Sequence, residues 1–294
     1  MRVSLDLLRS FLAVHRSGSI TGAAELLGLA QPTVTAQVRA LEEALGRPLF
    51  DRVPRGVMPT AAGDELARRV ADPLDRLDAV LADEPGTPYP RTVFLGGPAE
   101  FLAARVLPAV AGLVADGLEL RVTAGLPDQL LDGLVAGRLD LAVTSVRPRR
   151  RGLTAEPLHD EEFALVAAPA WARRLPDPVT PHALRGVPLV AYAEEAPILR
   201  RWWRTVFDTR LTRTPNLVVA DLRAVLAAVV AGAGASVLPT YLCERPLAAG
   251  ELVPLLRPAV PPLNTLFLAT RPQVGGRREV QAVRRSLLDA APGW

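Results

Sequence analysis

Residues 21–63 constrain the fold of this chain more than any other stretch, because they contain two short helical patterns separated by a turn. The first pattern begins near Thr21, a suitable N-cap, and ends at Gly28, which suits a helix C-terminus. The second starts at Gln31-Pro32, where proline fits the first helical turn, and Gly46 ends it. Its apolar residues share one narrow helical face: Val34, Val38, Leu41 and Leu45.

A basic segment follows the second helical pattern. Arg52 and Arg55-Gly56 are predicted to form a hairpin, or wing, directly after Phe50. Two helices, a tight turn and a basic hairpin are the layout of a winged helix-turn-helix, which places its second helix in the major groove of DNA. We therefore predict that residues 1–60 form a winged helix-turn-helix domain whose partner is double-stranded DNA.

The face of the second helix opposite Val34 carries small, weakly polar side chains, as a helix in a major groove requires. We assign Gln31 and Thr33 to base edges. Pro32 and Ala36 are assigned to thymine methyl groups, and Thr35 and Arg39 to phosphates or bases. Arg52 is assigned to a phosphate, with an ion pair to Asp51 or another nearby acid as the alternative, and Arg55 to the minor groove. The predicted DNA-binding set is Thr21, Gln31, Pro32, Thr33, Thr35, Ala36, Arg39, Arg52 and Arg55.

Residues 61–90 are predicted to be a linker helix and hinge. The charge balance changes there: residues 1–60 carry seven Arg against five acids, whereas 61–84 carry three Arg against seven acids. Pro73 is expected to kink or split the helix, and PGTPYP at 85–90 reads as a stiff linker. An apolar stripe is the predicted dimer face, with packing on the chain's own winged domain as the alternative: Leu66, Val70, Leu74, Leu77 and Leu81.

From Arg91 onwards, predicted strands alternate with predicted helices, which is typical of an α/β fold with a mostly parallel sheet. Strand patterns cluster on either side of about residue 163, so we expect two small lobes. Lobe I is assigned to 91–163 and 270–294, and lobe II to 164–269. The predicted fold class is thus α/β, with an N-terminal winged helix-turn-helix, a linker helix and a two-lobed domain at 91–294.

Composition excludes several other classes. Cys243 is the only cysteine, so no intramolecular disulfide can form, and a redox role for it is a minor alternative to burial. The N-terminal residues show apolar positions at helical spacing, but Asp6, Arg9 and Arg16 lie among them, unlike in the core of a signal peptide. No apolar run is long enough to span a membrane. A cytoplasmic protein without a membrane partner is expected. His15 is expected in the core, whereas His159 and His182 look like loop or surface positions. Since no metal, cofactor or catalytic motif is found, an enzyme is not indicated.

Three sets of residues carry a family resemblance. The N-terminal set is Ala23-Ala24, Gln31-Pro32-Thr33-Val34-Thr35, Leu41-Glu42-Glu43, Leu45-Gly46, Leu49-Phe50-x-Arg52 and Thr60-x-x-Gly63. The second is Leu107-Pro108, Leu130-Leu131 and Gly137-x-Leu139-Asp140-Leu141-Ala142-Val143; the third is Ala231-Gly232-x-Gly234-x-x-x-Leu238-Pro239. With these residues the chain resembles LysR-type transcriptional regulators over essentially its whole length. Members often have a larger polar or basic residue where Ala36 stands, so no base preference is carried over.

The resemblance implies a two-lobed effector domain shaped like a periplasmic solute-binding protein, with a small-molecule effector held between the lobes. Segments at the carboxyl ends of strands are expected to reach it. The predicted effector-binding residues are Gly97, Pro98, Ala99, Glu100, Phe101, Thr123, Thr144, Ser145, Tyr192, Glu194 and Gly232.

The segment after the first strand of lobe I departs from the family pattern. Family members commonly place a Ser or Thr there to hold an effector carboxylate, whereas this chain has Gly96-Gly97-Pro98-Ala99-Glu100. Glu100 and Glu194 would add negative charge, so we expect an uncharged or cationic effector. A Glu100 that caps its helix and faces solvent is the alternative.

The predicted function is a sequence-specific DNA-binding regulator controlled by that effector, with self-association as a homodimer or homotetramer. The alternative is a small-molecule-binding protein without a gene-regulatory role.

Overall fold

The computed structural model describes residues 3–54, 56–81, 89 and 92–294, with side chains from 3–54, 56–78, 89 and 92–294. Its contacts divide the chain into two compact units. The first comprises Met1–Pro98, Ala109–Pro157 and Phe267–Ala290, and the second comprises Ala99–Pro108, Leu158–Leu266 and Ala291–Trp294. The predicted winged domain therefore falls in the same unit as part of the predicted lobe I. The predicted domain boundaries themselves stay predictions.

The N-terminal elements follow the predicted order of helices, turn and hairpin. They are α1 (Leu5–Ser17), α2 (Ile20–Leu27), α3 (Gln31–Leu45), β1 (Phe50–Val53), β2 (Gly56–Pro59) and α4 (Ala61–Leu81). Strands β1 and β2 pair antiparallel from Phe50↔Pro59 to Val53↔Gly56, which is the predicted hairpin. Gly28 and Gly46 end α2 and α3 in the left-handed conformation, as expected.

The start of α2 differs from the prediction. Ser19, not Thr21, is the N-cap: the backbone N–H of Gly22 donates to the Ser19 hydroxyl oxygen at 2.9 Å. The helix can begin earlier because Gly18 turns the chain in the left-handed conformation at the end of α1. Thr21 lies inside the first turn and is exposed.

Two apolar clusters hold the winged domain together. One joins α1, α3, β1 and α4 through buried residues that include Phe11, Leu41, Leu49 and Leu74. The other joins α1, α2 and α3 through residues that include Val14, Ala24, Val34 and Val38. Leu5, in the first turn of α1, is 48% exposed.

Helix α4 is continuous across Pro73, so the helix is not split there, and the alternative, a kink, stays a prediction. Leu66 and Val70 pack partly, and Leu74 fully, against the first apolar cluster, as the alternative interpretation of the stripe proposed. Leu77 remains 45% exposed, and the side chain of Leu81 lies outside the described residues. The dimer role of these residues stays a prediction, and among the stripe's described side chains Leu77 is the exposed one.

After α4 the chain alternates between strands and helices. The elements are β3 (Val93–Gly97), α5 (Ala99–Phe101), which continues through π-helical Leu102–Val106 into α6 (Leu107–Ala115), β4 (Leu120–Ala124), α7 (Pro127–Val135), β5 (Leu141–Thr144) and β6 (Thr154–Ala167). They continue with α8 (Pro169–Ala172), β7 (Val190–Ala191), α9 (Pro197–Val206), β8 (Leu217–Val218), α10 (Leu222–Val230), β9 (Ala235–Pro239), α11 (Thr240–Ala248), β10 (Val253–Pro254), β11 (Leu263–Thr270) and α12 (Arg278–Ala290).

The expected mostly parallel sheet is only partly found. In the first unit β3 is parallel to both β4 and β5, whereas Phe267–Thr270 of β11 runs antiparallel to β5. In the second unit β6 runs antiparallel to β9 and β10, and β7 is parallel to β8. The expectation fails at β6 and β11, each of which begins in one unit and ends in the other. A strand that returns the chain in this way is not the product of a right-handed βαβ crossover.

No helix among the described residues is long and apolar enough to cross a membrane.

His15 lies in the core, as predicted, on the buried side of α1. Its side chain is fully buried, and its Nε2 lies 2.9 Å from Asp64 Oδ1 on α4. Burial lowers the pKa of His15 from 6.5 to about 4, although the hydrogen bond to Asp64 acts in the opposite direction. His15 is therefore neutral at physiological pH and donates its Nε2 proton to the carboxylate.

His15 should give the stability a pH dependence below neutrality. A histidine whose folded pKa is depressed stabilises the protein fully above 6.5, and this contribution is lost as the pH falls from 6.5 through 4. A folded pKa of about 4 against 6.5 in the unfolded chain corresponds to about 3.5 kcal/mol, which should be lost across that interval. His15→Gln, which keeps a donor for Asp64, should flatten this part of the profile in chemical denaturation at a series of pH values. Parallel profiles for the two proteins would show that His15 does not titrate in this way.

Candidate nucleic-acid interface and effector site

The outward face of α3 is open to solvent. Gln31, Pro32, Thr33, Ala36 and Arg39 are all exposed, while Val34 and Leu41 on the opposite face are fully buried. The packing of the inner face therefore fixes the orientation of the outer one. These five members of the predicted set therefore lie on one exposed helical face.

Two other members of the predicted DNA-binding set differ in exposure. Thr35 is half-buried, and its hydroxyl donates to the Gln31 carbonyl oxygen at 3.0 Å, one helical turn earlier. Thr21 is exposed in the first turn of α2. The Thr35 hydroxyl can still accept a hydrogen bond, because donating its proton leaves both oxygen lone pairs available.

The wing is the β1–β2 hairpin. Arg52 is exposed on β1, and among the described residues it has no ion pair with Asp51 or any other acid. Arg55 lies outside the described residues. Gly56 is required where it stands: its φ is +122°, and a Cβ there would lie 2.5 Å from the Gly18 carbonyl oxygen. The backbone N–H of Val57 donates to that same oxygen at 3.0 Å, so the hairpin is anchored to the turn between α1 and α2.

Glu42 ties the wing to α3, a role that the sequence analysis missed. Its Oε1 accepts the backbone N–H groups of Leu49 at 2.7 Å and Phe50 at 3.3 Å, where β1 begins. A carboxylate that accepts two backbone donors makes charge-assisted hydrogen bonds, which are stronger than neutral ones. The acidic pair Glu42-Glu43 in the motif was the only signal, and it does not show which acid turns inward.

The predicted effector residues of the first unit lie at the ends of its strands. Gly97 is buried at the end of β3, followed by half-buried Pro98, and Thr123 is exposed on β4. Thr144, at the end of β5, is fully buried, and its hydroxyl oxygen accepts the Val146 backbone N–H at 3.3 Å. Ser145 beside it is half-buried.

The predicted effector residues of the second unit differ in exposure. Ala99, Glu100 and Tyr192 are half-buried, and Glu194 is exposed. Gly232 is half-buried, and its carbonyl oxygen accepts the Trp171 indole N–H at 2.8 Å. Phe101 is fully buried against the rings of Tyr241, Trp294 and His159, at centroid distances of 5.5, 5.3 and 5.9 Å. The prediction that His159 lies in a loop or on the surface is therefore wrong: it is a residue of β6, and aromatic packing holds it.

A buried carboxyl group in the second unit was missed by the sequence analysis. Glu161 on β6 is 7% exposed and accepts the Tyr241 hydroxyl at 3.0 Å and the Asn264 amide at 3.4 Å. Burial raises its pKa from 4.5 to about 7, even though both hydrogen bonds favour the charged form. Nearby Glu100 also raises that pKa. Since Tyr241 and Asn264 lie 80 and 103 residues away in the chain, no local pattern could have revealed this group.

Glu100 adds to this negative region. Burial raises the pKa of Glu100, its own backbone N–H lowers it, and Asp221 raises it further. Asp221 is already neutralised, because it caps α10 and pairs with Arg223 at 2.7 Å. The carboxyl groups of Glu100 and Glu161 thus disfavour each other's ionisation, and a cation near them would favour it.

A winged helix-turn-helix joined to α/β units defines a DNA-binding regulator with a small-molecule receptor, and known proteins match this class. Residues 5–64 match the family model for the bacterial regulatory helix-turn-helix protein of the LysR family, and residues 89–292 match the LysR substrate-binding domain. The chain therefore belongs to the LysR family and is a DNA-binding transcriptional regulator.

Relatives agree with this assignment, and solved structures share the fold. The chain is 48% identical to the HTH-type transcriptional regulator AbaB of Streptomyces antibioticus, over 99% of this chain and 100% of that one. It is 32% identical to PtxR of Pseudomonas aeruginosa, over 86% and 82% of the two chains. Its fold resembles a full-length OxyR variant from Pseudomonas aeruginosa, with a TM-score of 0.74 at 22% identity over 99% of this chain and 95% of that one. It also resembles ArgP from Mycobacterium tuberculosis, with a TM-score of 0.71 at 24% identity over 98% of each chain.

Removing the Glu42 carboxylate should loosen the wing. Glu42→Ala leaves the Leu49 and Phe50 N–H groups without their acceptor, and we expect a loss of about 1–3 kcal/mol of stability, with faster hydrogen exchange at those two amides. Glu43→Ala is the matched control, because Glu43 is the exposed neighbour on the same helix. Equal exchange rates and equal stability in the two variants would contradict the anchoring role.

Proposed function

We propose that α3 reads operator DNA in the major groove through Gln31, Pro32, Thr33, Ala36 and Arg39. Thr35 and Thr21 contribute at its edge. The observation that carries this proposal is the exposed outer face of α3 opposite a fully buried inner face. Arg52 on the wing holds a phosphate, since it is exposed and is not engaged by an acid of the described chain.

One such unit makes too few contacts for tight specific binding. Two copies held by a symmetric dimer, on half-sites about one or two helical turns apart, supply the rest. Leu77 on α4 is the exposed member of the linker stripe. The first unit also leaves strand β4 at a sheet edge with Val122 39% exposed, and Val114 on α6 is 47% exposed. Unpaired edges and exposed apolar side chains of this kind favour self-association.

The effector belongs to the uncharged or cationic class. Its recognition involves Glu100, as expected from the sequence, together with Glu161 and its partners Tyr241 and Asn264. Two acids that disfavour each other's ionisation favour an amine or another hydrogen-bond donor over a carboxylate. The division into residues 1–60, 61–90 and 91–294, with two lobes in the last, is part of this proposal. So is action in the cytoplasm, where promoter DNA is found.

Single substitutions on α3 and the wing should separate base reading from phosphate binding. Gln31→Ala should weaken binding to the operator by about 1–3 kcal/mol and leave binding to unrelated DNA unchanged. Arg52→Ala should weaken both and lower the slope of log K against log salt by about 1. Arg68→Ala, an exposed arginine on α4, is the matched control. Gel-shift titrations at several salt concentrations, with DNA from upstream of the gene, measure both quantities; wild-type affinity in both variants would refute the assignment.

The effector class is tested by ligands that share one apolar ring and differ in charge: benzylamine, benzamide and benzoate. Isothermal titration of the full chain should give the tightest binding with benzylamine. This binding should strengthen about tenfold from pH 6 to pH 8, because a carboxyl with a pKa of about 7 ionises over that range. Glu161→Gln should bind benzylamine more weakly and without this pH dependence. Tightest binding of benzoate would overturn the proposal, whereas the DNA experiment would be unaffected.

A further inference from the structure

The winged domain packs directly on α/β residues of the same unit. Arg16 on α1 donates from Nε to the Gly137 carbonyl oxygen at 2.8 Å, and Arg138 pairs with Asp64 on α4 at 2.8 Å. Leu26 on α2 packs against the apolar cluster that contains Phe94 of β3. Helices α1, α2 and α4 are therefore all fixed to the α/β part of the first unit.

Helix α4 and the segment after α7 approach each other closely enough to require a glycine at position 137. A Cβ at Gly137, whose φ is +73°, would lie 2.6 Å from the Ala71 Cβ on α4. Buried ion pairs surround this point: Arg16 with Asp75 at 2.7 Å, Arg271 with Asp72, and Arg277 with Asp140 at 3.1 Å. Since removing one member of a buried pair leaves an uncompensated charge, this arrangement resists separation.

A cavity of about 480 Å³ lies at this junction. Its apolar wall includes Leu12 of α1, Leu26 and Leu27 of α2, Leu74 of α4 and Phe94 of β3. Small-molecule sites are usually concave, mostly apolar and 300–1,000 Å³ in volume. The cavity thus has the size of a ligand site, and three helices of the N-terminal region, α1, α2 and α4, form one side of it.

The charged groups of the wall select the ligand. Three arginines and three acids line the cavity, so their formal charges cancel: Arg9, Arg16 and Arg277 with Asp75, Asp78 and Glu119. Each arginine is already paired, Arg9 with Asp78 at 2.8 Å, Arg16 with Asp75 and Arg277 with Asp140. Glu119 accepts the Thr92 hydroxyl at 2.7 Å. A charged ligand would lose its hydration and would have to compete with groups that are already ion-paired or hydrogen-bonded, so the wall favours an uncharged one.

We propose that this cavity is a binding site for an uncharged, largely apolar small molecule, separate from the Glu161 region of the second unit. A ligand there contacts α1, α2 and α4 directly, so it acts on the winged domain without first acting on the second unit.

Two fluorescent probes with the same ring system test the site. Phenylnaphthylamine is uncharged, and anilinonaphthalene sulfonate carries one negative charge. The full-length protein should bind the uncharged probe at least about tenfold more tightly than the sulfonate. Leu27→Trp, which fills the cavity, should weaken binding of the uncharged probe about tenfold or more. Ile20→Trp is the matched control. Like Leu27, Ile20 is half-buried against the apolar cluster that joins α1, α2 and α3, but it does not line the cavity.

A second variant keeps the proposal testable if Leu27→Trp does not fold. Asp78→Asn removes one acid from the wall and leaves it with a net positive charge, so binding of the sulfonate probe should strengthen several-fold. The proposal is overturned if wild-type protein binds both probes equally, if Asp78→Asn leaves sulfonate binding unchanged, or if the uncharged probe is lost in Glu161→Gln and retained in Leu27→Trp.

Discussion

Burial of the inner face of α3 is the interaction on which the DNA-binding end of the molecule depends. Val34 and Leu41 are fully enclosed by α1, α2, α4 and β1. That enclosure leaves the opposite face of the helix as its only accessible surface. Glu42, on the same helix, accepts the first amides of β1. One helix thus sets both its own orientation and the starting point of the wing, and the two DNA-contacting elements keep a fixed relation.

The buried carboxyl groups of the two units have different kinds of partner. In the first unit, each buried acid where the winged domain packs on the α/β residues faces an arginine. Asp140, for example, contacts both Arg271 and Arg277. In the second unit Glu161 is held by neutral donors, Tyr241 and Asn264, and burial raises its pKa even though both hydrogen bonds act in the opposite direction. A cavity wall whose charges are paired favours an uncharged ligand, whereas a carboxyl group that has no paired cation favours a ligand that supplies one. The two proposed ligand classes therefore follow from one difference in how charge is paired.

Local patterns predicted the parts of this structure that local physics controls. The spacing of Val34, Val38 and Leu41 gave α3 and its exposed face, and Gly28 and Gly46 gave the helix ends. The start of α2 was missed because Ser19 and Thr21 are both good caps, and the turn at Gly18 decides between them. Antiparallel β6 and β11, the Glu42 anchor and the Glu161 group depend on contacts between distant or alternative residues, which spacing alone does not specify.

The apolar stripe of helix α4 contributes to two surfaces, one packed on the winged domain and one open to solvent. Leu66, Val70 and Leu74 face the winged domain, whereas Leu77 is left exposed one turn later. The acids of the same helix point elsewhere: Asp64 reaches His15 and Arg138, and Asp72 and Asp75 reach Arg271. Because α4 contacts the DNA-binding helices, the α/β residues and solvent at once, a shift on any one side changes the packing on the others. The linker helix is therefore a structural member of the first unit and not only a connection between domains.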